Sequence, residues 1–131
     1  MPQIGTKGQE LDLLIRQGAT FGPVSCTLKQ DNGAPVNLTG ALVRAQIRRA
    51  PNNTLSPGAI GTCSIVNAAA GVFQWEFSAT QTALLPADIT NEDSPASRYV
   101  WDMELEDSLG RVIPLVYGIV KVFREVTKDE A

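Results

Sequence analysis

Polar and apolar residues alternate with a period of two in the last third of the chain. From residue 99 to 106 every second residue is large and apolar, and the residues between them include three carboxylates. The apolar set is Tyr99, Trp101, Met103 and Leu105, and the carboxylates are Asp102, Glu104 and Glu106. On a β-strand this period puts the two sets on opposite faces. With a turn at 107–110 and a returning strand at 112–123, the segment 98–123 predicts a β-hairpin.

Shorter segments of the same kind, separated by Gly, Pro and Asn, occupy most of the remaining chain. They predict strands at 11–17, 21–28, 42–49, 60–66 and 72–78. One helical turn is predicted at 80–85, capped by Ser78 or Thr80 and stopped by Pro86. Seven or eight short strands with frequent turn signals predict an all-β, antiparallel β-sandwich, in which two sheets pack their apolar faces together. We expect Trp75 and Trp101 at the centre of its core.

The chain of 131 residues has the size of one domain. Residues 1–10 are polar and aperiodic, which predicts a flexible N-terminal arm or, equally, a frayed terminus. The sandwich is predicted over 11–127, and 128–131 form a charged C-terminal tail. Residues 87–97 are polar, lack a period and form the longest irregular stretch.

Composition narrows the possible partners. The net charge of −3 argues against nucleic-acid binding, which needs clustered Lys and Arg. No apolar run approaches the roughly 20 residues of a membrane span, and residues 1–6 lack the apolar core of a signal peptide, so synthesis in a cytoplasm is expected. There Cys26 and Cys63 are predicted to be buried, reduced thiols, with an inter-sheet disulfide as the alternative.

Few residues offer catalytic chemistry. The chain has no histidine, which removes His-dependent triads and the commonest zinc ligand. Asp102, Glu104 and Glu106 would lie about 7 Å apart along one strand face, a spacing suited to calcium or to a glycosidase pair, or simply to a solvated face. Glu92 and Asp93 could help to hold a cation. We therefore predict no catalytic residue, no cofactor, no metal site and no enzymatic activity.

Several phrases occur together in a fixed order. They are LDLLIRQGATF at 11–21, DNGAPVNLTGA at 31–41, GVF at 71–73, SATQTALL at 78–85, YVWDMEL at 99–105 and GIVKV at 118–122. This succession resembles the small immunoglobulin-like β-sandwich proteins of tailed bacteriophages and is similar to the N-terminal domain of the phage upper baseplate protein. The resemblance covers residues 11–127 and implies an immunoglobulin-like sandwich. In it Leu38 and Leu42 would anchor a strand, and Ala83 and Leu84 would plug one end.

The resemblance also implies a function. It is that of a structural virion protein of a neck, tail, baseplate or fibre attachment, or of a capsid decoration. The chain would be made in the host bacterial cytoplasm and reside in the virion. Its partners would be other virion proteins (portal or neck, tail or fibre proteins), in several copies per particle, without nucleic acid or membrane.

One departure from the family pattern predicts a contact surface. In the family the Leu-Pro after the helical turn leads quickly into the Tyr-containing strand, whereas here 87–97 are interposed. Because loops on a rigid scaffold often carry contacts, we expect this loop to touch a neighbouring virion protein. The candidate residues are Asp88, Ile89, Thr90, Asn91, Glu92, Asp93 and Ser94.

Two other functions remain open from the residues alone. A carbohydrate- or receptor-binding module would need exposed aromatic side chains, whereas the aromatic residues at 73, 75, 77, 99 and 101 alternate with polar ones and favour a core. A catalytic sandwich would have to rely on carboxylates.

Overall fold

The computed structural model describes residues 3–49, 58–85 and 96–123, with the backbone alone for 96 and 97. These residues form strands and one short helix. In chain order they are β1 (Gln3–Ile4), β2 (Gln9–Glu10), β3 (Leu13–Arg16), β4 (Phe21–Leu28), β5 (Leu42–Arg48), β6 (Ala59–Ile60), β7 (Thr62–Asn67), β8 (Val72–Phe77), α1 (Ala79–Thr82), β9 (Ala96–Glu106) and β10 (Val112–Phe123).

The strands form two sheets. The four-stranded sheet has the order β1-β4-β8-β7, and the six-stranded sheet has the order β2-β10-β9-β5-β6, with β3 also paired to β10. The all-β class is confirmed, but the prediction of purely antiparallel pairing was wrong. β1 runs parallel to β4, and β2 and β3 run parallel to β10. These parallel pairs join segments far apart in the chain, so no hairpin signal announces them.

Aromatic rings from both sheets meet at the centre of the core. Trp75 on β8 and Trp101 on β9 have ring centroids 5.1 Å apart, and Phe77 meets Trp101 at 6.4 Å. Phe21 stacks on Trp75 at 5.6 Å. The four inward-facing side chains of β9, those of Tyr99, Trp101, Met103 and Leu105, are each at most 3% exposed. The predicted inner face of the 98–123 hairpin is therefore confirmed, and so is the prediction that Trp75 and Trp101 lie at the centre of the core.

The predicted strand at 60–66 is two strands in different sheets. β6 pairs with β5, whereas β7 pairs with β8, and the chain passes from one sheet to the other at Gly61. A Cβ atom at this position would lie 3.1 Å from the Cβ of Ala45 and 3.2 Å from a ring carbon of Phe77. Only a residue without a side chain fits this crossing comfortably. A Gly inside a strand pattern was the available signal.

The segment predicted as an N-terminal arm contributes two short strands. Ile4 is 5% exposed, and its carbonyl oxygen accepts a hydrogen bond from the amide of Lys29 at 2.8 Å. A single apolar residue in a polar stretch has no period, so the sequence did not anticipate its burial. The backbone of β4 supplies the partner that makes the burial possible.

Helix α1 and the residues after it close one end of the sandwich. Ser78, not Thr80, is the cap, because its Oγ accepts from the amide of Gln81 at 3.2 Å. Leu84 is 58% exposed, and the fully buried plug is Leu85, so that prediction was wrong. The amide of Leu85 donates to the carbonyl of Thr82. Residues three apart in such a turn lie on the same side, so Leu85 is buried together with Thr82. In the described residues no helix is long and apolar enough to cross a membrane.

Two further predictions concern the anchoring residues Leu38 and Leu42 and the state of the two cysteines. Leu38 is fully buried as expected, but Leu42 is 59% exposed on the outer face of β5. Cys26 and Cys63 are free thiols, the first buried and the second half-buried. Burial raises the pKa of the Cys63 thiol to about 11, which keeps it protonated at neutral pH.

Candidate functional site

A groove of about 520 Å³ crosses the outer face of the six-stranded sheet. It is lined by the outward-facing side chains of β5, β9 and β10, with one residue from β2. Its volume lies within the range of pockets that bind small molecules in proteins. Its lining residues belong to paired strands and not to loops, so the sheet register fixes their relative positions.

The strand register arranges the floor of the groove in two rows. In the first row Asp102 lies between Gln46 on β5 and Tyr117 on β10. In the second row Val100 lies between Arg48 and Ile119. A polar row therefore runs beside a partly apolar row, and both cross the same three strands.

Two aromatic residues line the groove, and of these Trp101 is buried whereas Tyr117 has 53% of its surface exposed. It points outward because β10 has an irregular register between Pro114 and Val116. Both Leu115 and Val116 are buried there, so the alternation of faces shifts by one residue. Strict alternation from the start of the strand would have placed Tyr117 inside. The apolar pattern at the start of β10 does not predict this outward position. Lys121 between Val120 and Val122 was a signal that the alternation of faces changes within the strand.

The charged walls of the groove nearly balance. The guanidinium of Arg44 lies 2.9 Å from the carboxylate of Glu104 and 3.8 Å from that of Glu106. Nη2 of Arg48 donates to Oε1 of Gln46 at 2.9 Å. Of the charged residues that line the groove, two are arginines and three are carboxylates, namely Glu10, Asp102 and Glu104. No strong field of one sign is present to select a highly charged ligand.

Asp102 has a perturbed carboxyl group at the centre of the groove floor. The surrounding protein atoms displace water from it and raise its pKa, and the nearby charge of Glu104 raises the pKa further, while Arg48 opposes this. The predicted outer face with Asp102, Glu104 and Glu106 is thus confirmed. Across residues 3–49, 58–85 and 96–123, no group of His, Cys, Asp and Glu is arranged to hold a metal ion.

A second surface lies on the same side of the sheet, at the end formed by the turn of the 98–123 hairpin. Leu42 and Val112 flank Glu106 in the strand register and are 59% and 51% exposed. Leu109, at the tip of the turn, is 77% exposed. Because neighbouring strands lie about 5 Å apart, Leu42 and Val112 are about 10 Å from each other, with Glu106 between them. We call Leu42, Leu109 and Val112 the apolar end.

The turn that presents Leu109 is held by one carboxylate. Oδ1 of Asp107 accepts from the amides of Leu109 and Arg111 at 2.9 Å, and Oδ2 accepts from Nε of Arg111 at 2.8 Å. These hydrogen bonds, foremost that from the backbone of Arg111, hold the pKa of Asp107 below its usual value. The turn is therefore preorganised.

The two aspartates predict opposite pH dependences of stability. A raised pKa in the folded state means that the folded chain binds more protons, so Asp102 lowers stability as pH rises through its titration range. Asp107, with a lowered pKa, raises stability as pH rises through the range just below the usual carboxyl pKa, whereas Asp102 acts above that value. From about pH 3 to about pH 6, Asp102→Asn should gain stability relative to the wild type and Asp107→Asn should lose it. Urea unfolding across that range measures both, and equal slopes for the two variants would contradict the assignment.

The predicted partner contact falls on another part of the chain. Asp88, Ile89, Thr90, Asn91, Glu92, Asp93 and Ser94 lie outside the described residues, so that contact stays a prediction. The aromatic residues at 73, 75, 77, 99 and 101 are buried and belong to the core. No protein-family model matches this chain, and a search of curated proteins finds no match.

Proposed function

We propose that this chain is a non-enzymatic structural protein of a tailed-bacteriophage virion, acting through contacts with neighbouring virion proteins. A neck, tail, baseplate or fibre-attachment position is the first candidate, and capsid decoration is the alternative. The virion role comes from the sequence resemblance. The observation that carries the contact role is the apolar end, three exposed large side chains on a rigid scaffold.

An immunoglobulin-like topology is part of this proposal, and the strand order supports it. The sequence β4-β8-β7 in one sheet and β5-β9-β10 in the other corresponds to strands B-E-D and C-F-G of that fold. β1 then lies beside β4, in the place of strand A beside strand B, but it runs parallel to β4 where strand A is antiparallel to strand B. β6 extends the second sheet beyond β5, as in the variable type of domain.

The apolar end has the features of a small protein–protein contact. Exposed apolar side chains that lie close together mark interaction sites more often than scattered ones do. Leu109 stands on a turn fixed by three hydrogen bonds to Asp107, so little conformational freedom would be lost when a partner covers it. Glu106 lies between Leu42 and Val112 and pairs with Arg44, so this ion pair would supply polar contacts within the interface.

Purified particles test this proposal. A labelled copy of the chain should be found in virions at a defined position. A variant with Leu109→Ser and Val112→Thr should enter particles with at least about tenfold lower affinity, because each lost apolar contact is worth roughly 1 kcal/mol. Val66→Thr is the matched control, since Val66 is equally exposed but lies on the other sheet.

Two outcomes would contradict the proposal. If the label is missing from virions, the virion role fails. If the label is present but the Leu109 and Val112 variant enters particles like the wild type, the apolar end is not the contact. A deletion of 88–94 tests the other predicted contact, and unchanged particle assembly and stability would contradict it.

A further inference from the structure

The groove on the six-stranded sheet combines an exposed ring with groups that hydrogen-bond in pairs. Tyr117 supplies the ring, and Gln46 and Asp102 follow it across the sheet in one row. The neighbouring row adds the apolar side chains of Val100 and Ile119. We propose that this groove binds an uncharged saccharide, with one sugar ring on the face of Tyr117.

The exposed ring favours a sugar for an electrostatic reason. The face of an aromatic ring carries partial negative charge, and the C–H groups on one side of a pyranose carry partial positive charge. The remaining faces of a sugar present hydroxyl groups, each of which donates and accepts. The amide of Gln46 and the carboxylate of Asp102 can each bind two neighbouring hydroxyl groups.

The charge pattern favours a neutral ligand. Arg44 is already paired with two carboxylates, those of Glu104 and Glu106, and Arg48 faces Gln46 and the carboxylate of Asp102. A polyanion such as a nucleic acid would meet three carboxylates in the groove. Sugars need no net charge to be recognised.

A peptide fits this surface less well than a sugar. Extended peptides commonly dock by adding a strand to an open sheet edge, where main-chain groups are free. The groove instead crosses β5, β9 and β10, whose main-chain groups pair with one another in the sheet. The polar groups that line the groove belong to side chains, and this suits the hydroxyl groups of a saccharide.

The proposed site is argued from the groove and not from the virion role, so the isolated chain tests it separately. We would screen it on an array of neutral oligosaccharides that contain hexoses, N-acetylhexosamines and deoxyhexoses. The best array ligand would then be titrated calorimetrically and by amide chemical-shift mapping. We expect binding, with shifts at residues of β5, β9 and β10 around Asp102.

Variants separate the contributions of the groove. Tyr117→Ala should weaken binding at least about tenfold, because a stacked ring is worth about 1.4 kcal/mol. Tyr117→Phe keeps the ring and should bind within about threefold of the wild type, a difference of under 1 kcal/mol. Asp102→Asn should weaken binding by loss of its charge-assisted hydrogen bonds. Val66→Thr, on the opposite sheet, should leave binding unchanged.

Three results would overturn the proposal. They are no binding of any neutral saccharide at millimolar concentration, binding that Tyr117→Ala leaves intact while the chain stays folded, and preferential binding of a peptide or a polyanion. Urea unfolding of each variant checks that it is folded. Loss of virion incorporation in apolar-end variants that still bind sugar would separate this site from the proposed virion contact.

Discussion

Replacing Gly118 by alanine is expected to destabilise the folded chain by about 3 kcal/mol or more, which is large for one methyl group. Leu11 and Asp12, which connect β2 to β3, cross β10 at Gly118. A Cβ atom at residue 118 would overlap the carbonyl oxygen of Leu11. The same crossing is tied to β10 by Asp12, whose Oδ1 accepts from the amide of Ile119 at 2.9 Å. The crossing must therefore move away, or β10 must bend. Urea unfolding of the purified variant measures the effect.

Gly5→Ala is the matched control for Gly118→Ala. A Cβ atom at position 5 has no neighbouring atom within 4 Å, so the same chemical change there should alter the unfolding free energy by less than about 0.5 kcal/mol. Comparable losses in the two variants would show that the effect at residue 118 is a general glycine effect. No loss in Gly118→Ala would contradict the crowded crossing.

Trp101→Ala is expected to cost about 3–5 kcal/mol of unfolding free energy, the range for removing a large buried side chain. Trp101 is 3% exposed and packs against Trp75 and Phe77 from the other sheet. Its Nε1 also donates to the carbonyl oxygen of Leu11 at 2.8 Å, so it links the central core to the chain that crosses Gly118. Equilibrium urea unfolding, followed by far-ultraviolet circular dichroism, would measure this loss.

Trp101→Phe separates packing from hydrogen bonding. Phenylalanine keeps much of the ring contact but leaves the carbonyl of Leu11 without its donor, which costs about 1–3 kcal/mol. Tyr117→Phe, on the outer face of the same sheet, should change stability by less than about 0.5 kcal/mol. If Trp101→Phe is as stable as the wild type, the hydrogen bond to Leu11 does not stabilise the fold.

Local sequence patterns predicted the features that depend only on residues near each other in the chain, such as the two faces of β9 and the helix cap. The alternation from Tyr99 to Glu106 assigned each side chain of β9 to its face, since a strand has a period of two wherever it pairs. The Ser78 cap was one of two proposed, because a short side chain before a helix meets its free amides without help from other elements. The carboxylates of the outer face were also predicted.

The candidate groove could not be predicted from those patterns. Tyr117 lines the groove because β10 has an extra residue near Leu115. This residue shifts the register of β10 against β9, so that Tyr117 faces outward. Arg44 reaches Glu104 and Glu106 only because β5 pairs with β9 in the observed register. The strands β5 and β9 are distant in the chain, so no local pattern encodes their register.

The sequence by itself determined the all-β class, the two faces of β9, its hairpin with β10 and the aromatic core. These features follow from a short-range period and from turn chemistry, which act before distant segments meet. Only the tertiary structure decided that β1, β2 and β3 pair in parallel, that the chain changes sheets at Gly61 and that Tyr117 faces outward. The parallel pairings depend on the register between remote strands, which no local pattern encodes. The change of sheet and the outward position of Tyr117 depend on irregular backbone at Gly61 and near Leu115, for which the sequence carries only single-residue signals.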